Sequence, residues 1–218
     1  MLVSFSSCRD GFIHLQSLPW LFILDLFYSA DFNVPKMDIA FAISATALQS
    51  DANFMKMKDT VKEFVDRFGV HGRVHYAVMT FGDPPTKDLQ FSHKMTSSST
   101  LKELIDGIGK PSREAALDEA LSVAKLLFSP GEGGREDAEK ILIVMNDRES
   151  DSSNKGVVKS SRQLKTAGIR VIAVPLGDED NLNEVEVIVS ISEDIIKPKT
   201  TDKPRHISNK IVRNILNG

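Results

Sequence analysis

A chain of 218 residues, 41% of them apolar, is long enough to bury one sizeable core plus an appendage without disulfide or metal staples. Its 27 Lys and Arg against 30 Asp and Glu leave a net charge of -3 with no basic run, which excludes the electrostatic footprint of a nucleic-acid binder. Cys8 stands alone and cannot close an intrachain disulfide, and the five histidines, scattered singly, lack the close spacing of a zinc site.

The first thirty or so residues differ in style from the rest. Leu18 to Tyr28 reads LPWLFILDLFY, an apolar run of signal-peptide length, too short to span a bilayer, followed by small Ser29 and Ala30. Asp25 inside the run, Pro19 near its start, bulky Tyr28 and a lone positive Arg9 argue against cleavage. Two readings of residues 1–36 stay open: a secretory leader, or an apolar N-terminal tail. Phe32 to Lys36 is a linker, with Pro35 blocking helix or central strand.

Met37 to Thr46 (MDIAFAISAT) organises the rest of the chain. Bulky Ile39, Phe41 and Ile43 alternate with Ala40 and Ala42, predicting a buried strand with bulk on one face and close helix contact on the other. A small polar turn, Ser44 to Thr46, leads to a helix from about Asp51, whose stripe of Phe54, Met57, Val61, Phe64, Val65 and Phe68 is core. Gly69 closes it, and Val74 to Phe81 is a second strand. Leu89 to Phe91 is predicted as a short edge strand. Ser97 to Thr100 is a serine-rich helix start, and Thr100 with Glu103 three residues later reads as a capping box for a short helix. A helix from about Arg113 carries Leu117, Ala120, Leu121, Ala124, Leu127 and Phe128 on one side.

The pattern then repeats. Ile141 to Met145 (ILIVM) is a continuously apolar run, as expected of a parallel strand covered on both faces, and ends in Asn146 and Asp147. Val157 to Ala167 is an amphipathic helix stopped by Gly168. Ile169 to Leu176 is another buried strand, Leu182 to Val189 a short helix, and Ile195 and Ile196 a last edge strand. Ile207, Ile211 and Ile215 line a closing helix. Such alternation predicts a doubly wound, mainly parallel α/β sheet over residues 37–218, with helices on both faces. In these sheets ligands bind beyond the carboxyl end of the first strand, here the Ser44 turn.

These segments together resemble the von Willebrand factor type A domain. The resemblance runs from about Met37 to Leu216 and is carried by MDIAFAIS, NFMKMKDTVKEFV, RVHYAVMTFGD, ALDEAL, KILIVMNDRESD, LKTAGIRVIAVPLGD and IVRNIL. It implies a three-layer, six-strand sheet with one short antiparallel edge strand, and a secreted module of the matrix or cell-adhesion type whose partners are other proteins. It implies no enzyme activity, no nucleic acid and no membrane span. Many members hold magnesium or manganese at the sheet's carboxyl edge, in an Asp-x-Ser-x-Ser turn with a threonine and an aspartate from two further loops. A carboxylate of the partner completes the coordination.

This sequence departs from that ligand set. Ser44 replaces the turn's aspartate, Thr46 its first serine and Leu48 its second, so hydroxyls survive without a carboxylate. Arg113 stands at the threonine, with Ser112 the alternative if the loop shifts, and Asp147 matches the third-loop aspartate. Ser44, Thr46 and Asp147 are thus the remnant of a metal site. Magnesium takes near-octahedral oxygen ligands and usually one or two carboxylates. A guanidinium about 4 Å from the ion would be repelled by roughly 8 kcal/mol at an effective dielectric of about 20. The expectation is therefore no obligatory metal cofactor, with Arg113 pairing with Asp147 in the ion's place and tying two loops together. The alternatives are a solvent-facing Arg113 with Asp147 capping a turn, and a domain that retains weak magnesium binding.

Other acidic groups fall short of a site. Asp147, Glu149 and Asp151 alternate but lack the glycine and distal glutamate of a calcium loop, and Asp178, Glu179 and Asp180 read as a solvated turn. No GxGxxG, GxxxxGK[ST] or GxSxG is present to support a nucleotide-dependent enzyme or hydrolase, the rival class. The cysteines with which secreted members often bracket the domain are absent near Val34 to Lys36 and at Leu216, and no glycosylation acceptor appears, so an intracellular location stays open.

Overall fold

Five strands form one sheet in the order β3-β2-β1-β4-β5. They are β1 (Met37–Ser44), β2 (Val74–Phe81), β3 (Thr86–Leu89), β4 (Glu139–Asn146) and β5 (Ile169–Pro175). β1 runs parallel to β2 and β4, β4 runs parallel to β5, and β3 is the antiparallel edge. The computed structural model describes residues 35–217 except 47–48, 83, 94, 96, 111–115, 149–153 and 177–181. The proposed leader, Leu48, Ser112, Arg113, Glu149, Asp151 and Asp178 to Asp180 lie outside the described residues.

Among the described residues, six helices cover the two faces: α1 (Asp51–Phe68), α2 (Ser98–Asp106), α3 (Leu117–Leu127), α4 (Asn154–Thr166), α5 (Leu182–Ile188) and α6 (Pro204–Asn217). The alternation in β1 decides which helix sits where. Phe41 meets Phe64 of α1 edge to face at 5.2 Å, so the bulky face lies under α1. The small face, Ala40 and Ala42 with Ala77 of β2, joins the cluster containing Leu117, Leu121 and Ala124, where the missing bulk lets α3 approach. Gly69, at φ 81, ends α1 and returns its N–H to the Val65 carbonyl.

Three expectations need correction. The sheet has five strands, not six: Ile195 makes only an isolated parallel bridge to Ala173. A three-residue turn of 3-10 helix over Ser192–Asp194 directly precedes Ile195, and Pro198, which has no backbone N–H to donate, follows shortly after the bridge. The edge strand is Thr86–Leu89 rather than Leu89 to Phe91. Phe91 is apolar because it packs on Phe128 at 5.2 Å, and the loop carrying it lies so close to the next turn that a Cβ on Gly133 would sit 2.3 Å from the Ser92 nitrogen. Finally, α2 is capped by Ser97, whose hydroxyl accepts the Thr100 N–H at 3.2 Å, and not by a Thr100–Glu103 box. The cap forms one turn earlier because an extended serine was available there.

Two buried ion pairs, invisible to hydropathy, hold the fold near the amino ends of β1 and β5. Asp38 is fully buried and takes the Arg135 Nε–H at 2.8 Å and the Arg135 backbone N–H at 2.7 Å. The same guanidinium donates to the carbonyls of Met37, Arg73 and Gly72. Arg170 grips buried Asp194 at 2.7 Å and also donates to the Asn214 carbonyl and side chain. Each of these buried carboxylates is matched by a guanidinium and hydrogen-bonded, which offsets the cost of burying it.

Candidate functional site

The parallel register of β1 with β4 pairs Ile43 with Met145, so the next residues out, Ser44 and Asn146, lie side by side at the carboxyl edge of the sheet. Asp147 comes immediately after. Ser44, Thr46 and Asp147 are 1%, 3% and 9% exposed, so the turn after β1 and the loop after β4 are buried together rather than splayed into solvent.

The turn is built largely from its own atoms. Gln49 N–H donates to both the hydroxyl and the carbonyl of Thr46 at 3.2 Å, closing a tight turn that engages the Thr46 hydroxyl locally. Lys110 reaches across to the Gln49 carbonyl at 2.8 Å and to the Asp51 carboxylate at 2.6 Å, pinning the start of α1. Ser50 then caps α1 by accepting the Asn53 N–H at 3.1 Å.

Asn53 does more than continue the helix. Its side-chain amide donates to Asp147 Oδ2 at 3.1 Å, linking the first turn of α1 to the loop after β4. The other carboxylate oxygen, Oδ1, is buried without a hydrogen-bond partner and lies 4.0 Å from the Arg148 guanidinium. The Asn146 side chain bends back to donate to the Arg148 carbonyl at 3.3 Å, and its own oxygen is likewise buried without a partner.

As a magnesium cage this donor set fits poorly. Among the described residues it offers one carboxylate and two neutral hydroxyls, one carboxylate oxygen already accepts from Asn53, and a guanidinium flanks the other. No group of three His, Cys, Asp or Glu side chains among the described residues is arranged to hold a metal. Sequence reasoning placed Ser44, Thr46 and Asp147 at this edge, and the structure brings their segments together there. It missed Asn53, Gln49, Lys110 and Arg148. Their only signal was position: in or next to the first turn of α1, in the loop after α2, or beside the matched aspartate.

The histidines are less scattered than their spacing implies. Three of the five, His71, His75 and His93, line one cavity of about 190 Å³ with Tyr76, Phe91 and Met95. Burial holds the His71 imidazole below its ordinary pKa, the Phe68 backbone opposes this, and Arg73 adds to the lowering.

Residues 38–207 match the family profile of the von Willebrand factor type A domain. The chain belongs to that family. Among curated relatives, this type A domain is 26% identical over 188 residues to the collagen alpha-6(VI) chain of Mus musculus, which covers 85% of this chain and 8% of the collagen. It is 27% identical to the collagen alpha-1(XII) chain of Notophthalmus viridescens, over 83% of this chain and 19% of that one. It is 25% identical to integrin alpha-X of Mus musculus, over 96% of this chain and 19% of that one. The chain therefore spans less than a fifth of the length of these relatives. Among solved structures, proximal thread matrix protein 1 from the mussel byssus superposes with a TM-score of 0.75 at 22% identity, over 83% of this chain and 47% of that one. A further structure of the byssus protein, described as having a zinc occupied MIDAS motif, gives a TM-score of 0.71 at 24% identity. At these identities the structural likeness speaks for the fold. Among the described residues of the type A domain, no helix is long and apolar enough to cross a membrane.

Proposed function

We propose that this type A domain is a non-enzymatic protein-binding module of the matrix or cell-adhesion type, which recognises its partner through the loops at the sheet's carboxyl edge without an obligatory divalent ion. The observation that carries the reading is the Asn53–Asp147 hydrogen bond, in a site where Asp147 is the single carboxylate among the described residues and Arg148 already stands beside it. An ion that needs the partner's carboxylate to complete its shell must first be held by the domain, and this donor set supplies little charge to hold it. Family membership and the matrix collagens among the relatives support adhesion and an extracellular location. We extend the proposal to Arg113: on this reading it pairs with Asp147 in the ion's place, the alternative being that it faces solvent while Asp147 caps a turn.

Ser44 argues against a hydrolase, since a hydroxyl on a residue 1% exposed is not presented to a substrate. One observation favours a second reading, weak magnesium binding: Asp147 Oδ1 and Asn146 Oδ1 are both buried acceptors without hydrogen-bond partners.

The test is capture of matrix and cell-surface proteins by the immobilised full chain, run in parallel in EDTA and in Mg²⁺. The same bound proteins in both are expected. Loss of all of them in EDTA contradicts metal independence, and no bound protein in either contradicts the module itself. Residues 1–36 are taken as a leader or apolar N-terminal segment ahead of a domain at 37–218, with cleavage before Asp31 on the leader reading. Secretion of the expressed product with an N-terminus at Asp31 supports the leader reading, and an intact intracellular product overturns it.

A further inference from the structure

We propose that the outward face of α4 is a docking strip for a sulfated glycan, in addition to the protein-binding loops. At about 100° per residue, Lys155, Lys159 and Arg162 fall within about 60° of one another around the helix. Val158 and Gln163 flank them, and these five side chains line one shallow groove of about 450 Å³. The opposite side of the same helix, Val157, Ser160, Ser161 and Leu164, is buried. The helix is therefore fixed to the domain with its cations facing outward. At 1.5 Å rise per residue the three charges are spread over about 10 Å along the axis, a straight positive line.

Among the described residues, no carboxylate pairs with these charges. The helix contains no acidic residue, and none of the three side chains makes an ion pair or hydrogen bond with a described residue. The larger groove lined by α1, α2 and α6 differs: there Lys62 meets Asp59 and Asp106, and Lys102 meets Asp66. Like charges at i, i+4 on a helix repel, so the α4 strip carries a small standing cost that an anionic occupant relieves. Lys165, at the edge of the strip, is committed elsewhere and donates to the Val187 carbonyl at 3.0 Å.

The chemistry selects a glycan over an acidic protein segment. Protein segments gain affinity from apolar or aromatic anchors set in pockets. Val158, 36% exposed, is the one apolar residue lining this shallow groove, whose remaining apolar surface is the stems of the cationic residues and Gln163. A sulfated glycan brings dense negative charge along a linear chain and requires no such anchor. Gln163 adds a neutral group able to hydrogen-bond a sugar hydroxyl.

The probe is a heparin-derived octasaccharide titrated calorimetrically into the full chain. Binding that weakens roughly tenfold or more between 50 and 200 mM salt is expected, as three released counterions would give. The variant Lys155→Gln, Lys159→Gln, Arg162→Gln is expected to bind at least tenfold more weakly with its melting temperature not lowered. The control variant Lys125→Gln, Lys197→Gln, Lys199→Gln makes the same change in net charge away from the strip and should bind like wild type. Three results overturn the proposal. They are a strip variant that binds as tightly as wild type, equal losses in both variants, or a polyglutamate peptide of equal charge that binds the wild type as tightly as the octasaccharide does.

Discussion

Asn53, in the first turn of α1, donates its side-chain amide to Oδ2 of Asp147, 94 positions further along the chain. The bond occupies one oxygen of the aspartate that, by the family's pattern, would face an ion. Asn53→Ala leaves a buried carboxylate without that donor. We expect a loss of about 1–3 kcal/mol in urea unfolding, the range for a hydrogen bond to a buried charged group. A loss near zero would mean that Asp147 is satisfied by other groups.

Restoring the family's ligands should restore metal binding. Ser44→Asp combined with Arg113→Thr supplies the missing carboxylate and removes a cation. The double variant is expected to bind Mg²⁺ at least tenfold more tightly than wild type, about 1.4 kcal/mol, by calorimetry. Equal affinities would show that these two positions do not decide the matter.

Arg135 neutralises Asp38 in the interior while donating to three backbone carbonyls. Arg135→Met should cost about 3–5 kcal/mol in denaturant unfolding, because the buried Asp38 carboxylate is left uncompensated. Adding Asp38→Leu to it should recover part of that loss. If the double variant is less stable than Arg135→Met alone, the penalty does not come from the stranded charge.

Asp88 supplies a pH test. Burial pushes its carboxyl above the ordinary value of 3.8, against hydrogen bonds from Thr80 and the attraction of Lys58. The folded state therefore holds this proton more tightly than the unfolded state. Its stabilising effect is complete below about 3.8 and is lost as pH rises through the raised folded value. At pH 7 the ionised group is thus a net cost. Asp88→Asn should raise the melting temperature at neutral pH, with the gain shrinking as the medium approaches the ordinary carboxylate range. A gain that does not vary with pH would point to a packing effect.

Much of the fold was legible because hydrophobic period and packing agree. β2 and the span of α1 match their patterns closely, and the small-and-large alternation of β1 foretold which face would admit α3. Pattern failed where burial and pairing diverge. Phe91 is core without being strand, Thr86–Leu89 is strand while mostly polar, and Ile195 reaches the sheet for a single bridge. The ion pairs of Asp38 and Asp194 lay hidden because a charged residue in a strand or turn reads as surface until its partner is known. At the candidate site, resemblance supplied Ser44, Thr46 and Asp147. Asn53 and Lys110 act through space, from segments whose sequence shows only a helix start and a loop.

Calorimetric titration of the full chain with Mg²⁺ bears most directly on the central claim, that the carboxyl-edge site works without a bound ion. The account predicts no saturable binding in the micromolar range. Saturable micromolar binding that disappears in Asp147→Ala would contradict it.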